Sequence, residues 1–480
     1  MTVAVAAWLQ PALVAALALR VAAGEADAPW LVLGALIAPL VAALRPARRP
    51  TGPNPVGAVA SALAVTVLLT ADFVLAADAA ALLGGAPWQG VAVAAALALL
   101  TPLSSASRRL TAPALTLAAA GLLLPLGAVA LSTATPPWAA WTRSSQRPAL
   151  TFSEASAWVR DGERFARPAR LMFAEGQRVT VLTPGVYRVT ERDAAQPTVR
   201  EWRLVSGDTL ALRPGDELSV EAGARLRFEP GRRVPGAPAS GIAWADAPGR
   251  GPGMAPAALG GLITLVGGAL LLVPAQTRRG AATVSGPLLL LTAVSAAIGW
   301  GVYGAAAAPD LALGGSLPAP LLRLPALALG PRAGAPLAAL TTAAIALLLV
   351  AATGALRQRL AATARPEPAL WAGTVALAAL LSTWPLDPWR LLMLALGLAG
   401  SVWTPFLLAP GRIGGLVGSS VGGLTFLGLF ALSALTSGTT AWLEALGPYP
   451  ALVALPLGWA AMRAVSMVTG HGDDERAVTR

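Results

Sequence analysis

Residues 336–365 read PLAALTTAAIALLLVAATGALRQRLAATAR: an uncharged run from Pro336 to Leu356, then Arg357, Arg359 and Arg365. A helix rises about 1.5 Å per residue, so the uncharged part is long enough to cross a hydrocarbon core about 30 Å thick. Guanidinium groups stay on the cytoplasmic side of short loops, so the arginines mark which end of the span faces inward. The same arrangement recurs along the chain. Arg45/Arg48/Arg49, Arg108/Arg109, Arg278/Arg279 and Arg412 each follow one apolar run and precede another. The alternate gaps hold acids and tryptophans instead, as at Glu25/Asp27/Trp30 and Trp384/Asp387/Trp389.

Composition agrees with this reading. Apolar residues make up 55% of the 480 residues and charged residues 12%, too few to cover the surface of a soluble chain of this length. Cysteine is absent, which excludes disulfides, thiolate metal sites and cysteine nucleophiles. The one histidine, His471, lies in the polar tail, so haem and zinc chemistry lack their usual imidazoles and no cofactor is expected. All 35 basic residues are arginine, and the net charge is +11. Because these arginines are divided between inner gaps and a polar insert, without a dense basic run or interleaved aromatics, membrane orientation accounts for the charge and nucleic acid does not.

Twelve apolar runs are expected to span. Five precede the insert: Thr2–Val21, Pro29–Leu44, Gly57–Ala77, Pro87–Ser105 and Leu110–Leu131. Seven follow it: Met254–Ala275, Val284–Ala306, Pro336–Leu356, Pro368–Leu386, Leu391–Leu408, Ile413–Leu435 and Pro448–Val468. Placing the arginine clusters inside puts both termini in the cytoplasm, in a bacterial inner membrane. Trp30, Trp88, Trp138, Trp141, Trp384, Trp389 and Trp442 then fall near outer ends, where an amphipathic indole is most stable. Leu311–Gly330 is apolar but broken by glycines and prolines, so it is expected to be interfacial or re-entrant.

Between Ser132 and Pro252 the character changes, with 17 arginines and 13 of the chain's 24 acids. Phe152–Arg167 has the partial apolar face of a short helix. After it the period becomes two, in short strands near Leu171–Phe173, Arg178–Leu182, Val186–Thr190, Thr198–Val205, Asp208–Leu212, Glu217–Val220 and Arg225–Phe228. Thr183-Pro184-Gly185 reads as a hairpin turn, and Arg213-Pro214-Gly215-Asp216 and Glu229-Pro230-Gly231 as further Pro-Gly turns. Val234–Pro252 reads as an extended linker. The fold class is therefore a polytopic α-helical membrane protein of about twelve transmembrane helices with an inserted extracytoplasmic all-β sandwich or barrel. Residues 1–133 and 253–470 form the membrane part, 134–252 the outer β-rich domain with linkers, and 471–480 a cytoplasmic tail expected to be unstructured.

Candidate chemistry is sparse. Asp208, Asp216, Glu217, Glu221 and Glu229 fit turn and solvated roles, and no nucleophile elbow or phosphate loop is present, so no catalytic residues are assigned. A charge inside a span is the best pointer to transport, and Asp72 is the main one, with Arg20 as its candidate partner. Arg20 and Arg463 also suit snorkelling to headgroups. Gly414, Gly418 and Gly422 form a GxxxG series suited to close helix packing, as are Gly260/Gly261 and Gly267/Gly268. Arg323, Arg332, Asp387 and Arg390 are candidate polar residues of an outer mouth.

Three functions compete. The first is a non-enzymatic membrane subunit or scaffold of an envelope assembly, binding a protein partner through residues 150–235. The second is a transporter or flippase for a hydrophobic or lipid-linked substrate, although no internal symmetry supports inverted repeats. The third is a membrane glycosyl transferase or ligase acting on a lipid-linked glycan. The lack of intramembrane polar groups favours the first.

Overall fold

The computed structural model describes residues 2–23, 27–44, 55–100, 105–140, 169–173, 176–191, 198–221, 224–228, 254–272, 285–307, 317–363, 368–384, 386–409, 412–435 and 449–478. The cluster residues Arg45, Arg48, Arg49, Arg278, Arg279 and Arg365 lie outside them, as do Glu25, Trp141, Trp442, the 152–167 helix, the 229–231 turn and the 234–252 linker.

The helices are α1 (Thr2–Trp8), α2 (Pro11–Ala23), α3 (Ala28–Leu44), α4 (Pro55–Leu82), α5 (Pro87–Leu100), α6 (Ser105–Ser132), α7 (Met254–Leu272), α8 (Ser285–Ala307), α9 (Ala319–Thr363), α10 (Pro368–Leu381), α11 (Pro388–Leu408), α12 (Arg412–Leu435) and α13 (Ala451–Val478). Among the described residues seven stretches, in α4, α6, α8, α9, α11, α12 and α13, are long and apolar enough to cross a membrane, and six apolar helices are shorter. Leu117, Leu124 and Leu131 on α6, Leu424 on α12 and Met467 and Val468 on α13 are all exposed. Apolar surface of that extent is a liability in water and suits a lipid surround. The coarse class is thus a multi-pass helical membrane protein. Of the seven long stretches the most enclosed are α4 and α11, which pack on each other, and α11 also contacts α7, α12 and α13.

Two expectations need correction, and the 311–330 stretch gains detail. The first apolar run is two helices, interrupted at Leu9-Gln10, because Pro11 lacks the N–H that would continue the α1 ladder and sits well at the start of a new helix. The stretch before Gly330 is helical from Ala319, and α9 then folds sharply at Gly330 (φ +79°). A Cβ at Gly334 would strike Ala326 Cα, so the two arms of α9 lie against each other. Finally, helix α13 runs on through the polar tail to Val478, with no proline to stop it after Pro456.

Seven strands appear where the period-two pattern placed them: β1 (Ala169–Met172), β2 (Gln177–Val181), β3 (Gly185–Glu191), β4 (Thr198–Leu204), β5 (Thr209–Leu212), β6 (Glu217–Val220) and β7 (Leu226–Phe228). They form an antiparallel sheet of order β1-β6-β3-β4 and another of order β5-β2-β7. Leu171, Phe173, Tyr187, Val189 and Leu218 of the first share a core with Val179, Val181, Leu210, Leu226 and Phe228 of the second. The two described Pro-Gly turns do not close hairpins. β2 pairs with β5 and β7, while β3 pairs with β4 and β6, so Thr183-Pro184-Gly185 carries the chain from one sheet to the other. Arg213–Asp216 does the same between β5 and β6, with Gly215 at φ +91°. A turn signal reports a chain reversal, and the pairing partner is chosen by which apolar faces meet. At the first corner Tyr187 donates its hydroxyl to Thr183 O at 2.7 Å, and burial, then the Glu221 charge, pushes its phenol above the ordinary value.

Candidate functional site

The membrane charges fall into two places. The first joins the end of α2 to the starts of α3, α11 and α13. Asp27 precedes α3, and its backbone carbonyl accepts from Trp30 N and Leu31 N. Arg20, in the last turn of α2, reaches both oxygens of the Asp27 carboxylate at 3.3 and 3.2 Å. Tyr449 donates its hydroxyl to Asp27 Oδ2 at 2.9 Å. The Arg20 guanidinium lies 4.5 Å from the centroid of the Trp389 ring, a cation–π contact in partly desolvated surroundings. Tyr449 is seated on α7, where a Cβ at Gly260 would fall 2.6 Å from its own Cβ. Among the described residues a carboxylate, a guanidinium and a phenol meet here, so the cluster is a clasp between helix ends.

The second place is Asp72. Asp72 does not pair with Arg20: its Oδ1 accepts from Ala12 N at 2.9 Å, at the start of α2. Arg20 is two turns further along, about 12 Å at the helical rise, and Asp27 is nearer to it. Asp72 is 1% exposed, and its Oδ2 has no hydrogen-bond partner. The interruption also holds Gln10, 1% exposed, whose Nε2 donates to Ala7 O at 2.7 Å and whose Oε1 has no partner.

The remaining sequence candidates are dispersed. Asp387 caps α11 by accepting from Trp389 N at 3.0 Å and contacts Arg390 at 3.8 Å, both side chains being exposed. Arg323 is half-buried and Arg332 exposed, on either side of the α9 kink. Gly414, Gly418 and Gly422 lie within the chain: Cβ atoms there would strike Ser466 Oγ, approach Met462 Cβ to 2.6 Å and strike Ser401 O, respectively. Trp389, expected at the water interface, is buried beneath Arg20, whereas Trp30, Trp88, Trp138 and Trp384 are exposed at helix ends. Among the described residues no three His, Asp or Glu side chains gather to hold a metal ion.

Two features were not singled out beforehand. Tyr449 gave no local signal, since its partner lies 422 residues away. Pro11, within an apolar run, was a readable mark of the α1–α2 interruption.

Comparison with protein-family models and with curated proteins returns no match.

In the β region, β4 ends the four-stranded sheet, and its outer edge carries no strand among the described residues. Val199, Trp202 and Val205 along it are all exposed, between the ion pairs Arg188–Glu201 at 2.7 Å and Arg200–Glu191 at 3.4 Å. Trp202 stands opposite Tyr187 on the core-facing side, but the three-stranded sheet leaves it 45% exposed.

Proposed function

We propose that this protein is a non-enzymatic integral membrane subunit of a bacterial envelope assembly, and that β4 is where its β module takes a protein partner. The observation that carries the reading is the open β4 edge with Val199, Trp202 and Val205 exposed along it. An unpaired edge offers main-chain donors and acceptors to an added strand, and alternate side chains supply pockets and specificity. An exposed tryptophan on a free strand edge is the composition of an interface anchor.

In this reading the chain crosses the inner membrane about twelve times. The shorter helices complete the crossings that the seven longer ones begin. Both termini are cytoplasmic, and residues 134–252 form a sandwich-like module outside. The arginine clusters support this threading, and so do Trp30, Trp88, Trp138 and Trp384 at helix ends.

The test is co-purification of the full chain from its native envelope. Wild type should recover partner subunits in stoichiometric amount, and Trp202→Ser with Val199→Asp should lower that recovery at least about tenfold at equal membrane level. Equal recovery from both would remove β4 as the docking edge.

A second reading, transport of a hydrophobic or lipid-linked substrate, is favoured by one observation: the interrupted first helix with a buried carboxyl facing its break. Interrupted helices whose ends face polar groups are a recurring way to build ion and substrate sites in carriers.

A further inference from the structure

We infer that the interruption between α1 and α2 is a binding site for one monovalent cation, a proton or a sodium ion, held on Asp72 Oδ2. This rests on the carrier reading and is independent of the β4 edge.

The argument is one of charge and unmet acceptors. A carboxylate at a helix N-terminus gains about half a positive charge from the backbone dipoles. Ala12 N supplies that contact to Oδ1 at 2.9 Å. The other half of the carboxylate's charge has no counterpart, and a bare charge at this depth is costly. Oδ2 is buried without a donor, and Gln10 Oε1, two residues before Ala12, is a second buried acceptor without one. Two unsatisfied oxygens beside a helix start call for a donor or a cation, and an anion would meet two acceptors.

The helices packed on α4 do not provide the missing charge. Helices α5 and α10 contain no charged residue. On α2 the basic group is Arg20, held by Asp27. The others are Arg323, Arg332, Arg357 and Arg359 on α9, Arg390 on α11 and Arg412 on α12. Among the described side chains none of them is an ion-pair partner of Asp72. The bound cation therefore neutralises the site: a proton adds to Oδ2 to give a neutral carboxyl, or sodium is coordinated by Oδ2.

Difference infrared spectroscopy of the full-length protein in lipid nanodiscs tests this. In sodium-free choline buffer near neutral pH, wild type should show one carboxyl C=O band that Asp72→Asn lacks. The asparagine oxygen still accepts from Ala12 N, so the variant keeps the helix start and folds. If adding sodium chloride at constant pH removes the band, sodium is the physiological occupant; if the band persists, the proton is. Absence of any Asp72-dependent carboxyl band in sodium-free buffer would mean that the carboxylate is stable uncompensated, and the site assignment would fall. Loss of partner recovery in β4 variants leaves this outcome untouched, so the two readings fail separately.

Discussion

Asp27→Ala is expected to destabilise the protein by about 3–5 kcal/mol, the cost of leaving one member of a buried ion pair without its partner. The Arg20 and Asp27 side chains are only 18% and 11% exposed, so solvent does little to screen the loss. The variant takes a contact from two groups at once, because Tyr449 also donates to Asp27 Oδ2. Three helix ends meet on that carboxylate, so the damage should appear as global unfolding rather than local fraying. Adding Arg20→Leu to Asp27→Ala should restore part of the stability, since the uncompensated charge is then gone. Denaturation of the detergent-solubilised protein measures both. A loss below about 1 kcal/mol for Asp27→Ala would reduce the clasp to an ordinary surface pair.

Gly400→Leu is the other large effect. Helices α7 and α11 cross with backbone against backbone: a Cβ at Gly400 would sit 2.8 Å from Gly267 Cα, and one at Gly267 would sit 2.9 Å from Gly400 Cα. No side-chain end is present to swing aside, so the helices must separate along an interface between central elements. Overpacking of a close-packed core commonly costs about 1–3 kcal/mol, and backbone contact places this site at or above the upper end. The folded yield in membranes, read by size-exclusion chromatography, should fall severalfold or more. Gly127→Ala, Gly373→Ala and Gly428→Ala supply the contrast, because a Cβ at those positions meets nothing within 4 Å. They should leave yield unchanged or raise it slightly, as a helical glycine replaced by alanine does when space allows.

Each of the twelve apolar runs overlaps a helix, the first overlaps two, and each period-two segment overlaps a strand, because burial period and backbone period are the same physical constraint. Local readings failed where a choice depended on distant residues. Arg20 found Asp27 rather than Asp72 because helix geometry puts Asp72 two turns away, beside Ala12. Trp389 went inside because the guanidinium above it offered a better partner than headgroups. Trp8, Trp300 and Trp371 likewise donate their indole N–H groups to Ala35 O, Leu122 O and Ala98 O, tying neighbouring helices where a belt rule sees only outward anchors. The Pro-Gly corners of the β region were visible as reversals, yet which sheet received each strand depended on the shared core.

Span length was the least legible property. The 368–386 run includes flanking residues that lie beyond its helix, so α10, at 14 residues, is shorter than the run that foretold it. A helix that short crosses a bilayer only with its flanks or beside thinned lipid.

The threading of the chain is the central claim, and site-directed thiol labelling tests it most directly. The protein has no native cysteine, so Ser107→Cys and Ser206→Cys each introduce a single thiol. Ser107 adjoins the Arg108/Arg109 cluster, and Ser206 is exposed in the turn between β4 and β5. A membrane-impermeant thiol reagent applied to intact spheroplasts should label Ser206→Cys and reach Ser107→Cys only after lysis. Labelling of Ser107→Cys with protection of Ser206→Cys would contradict the account.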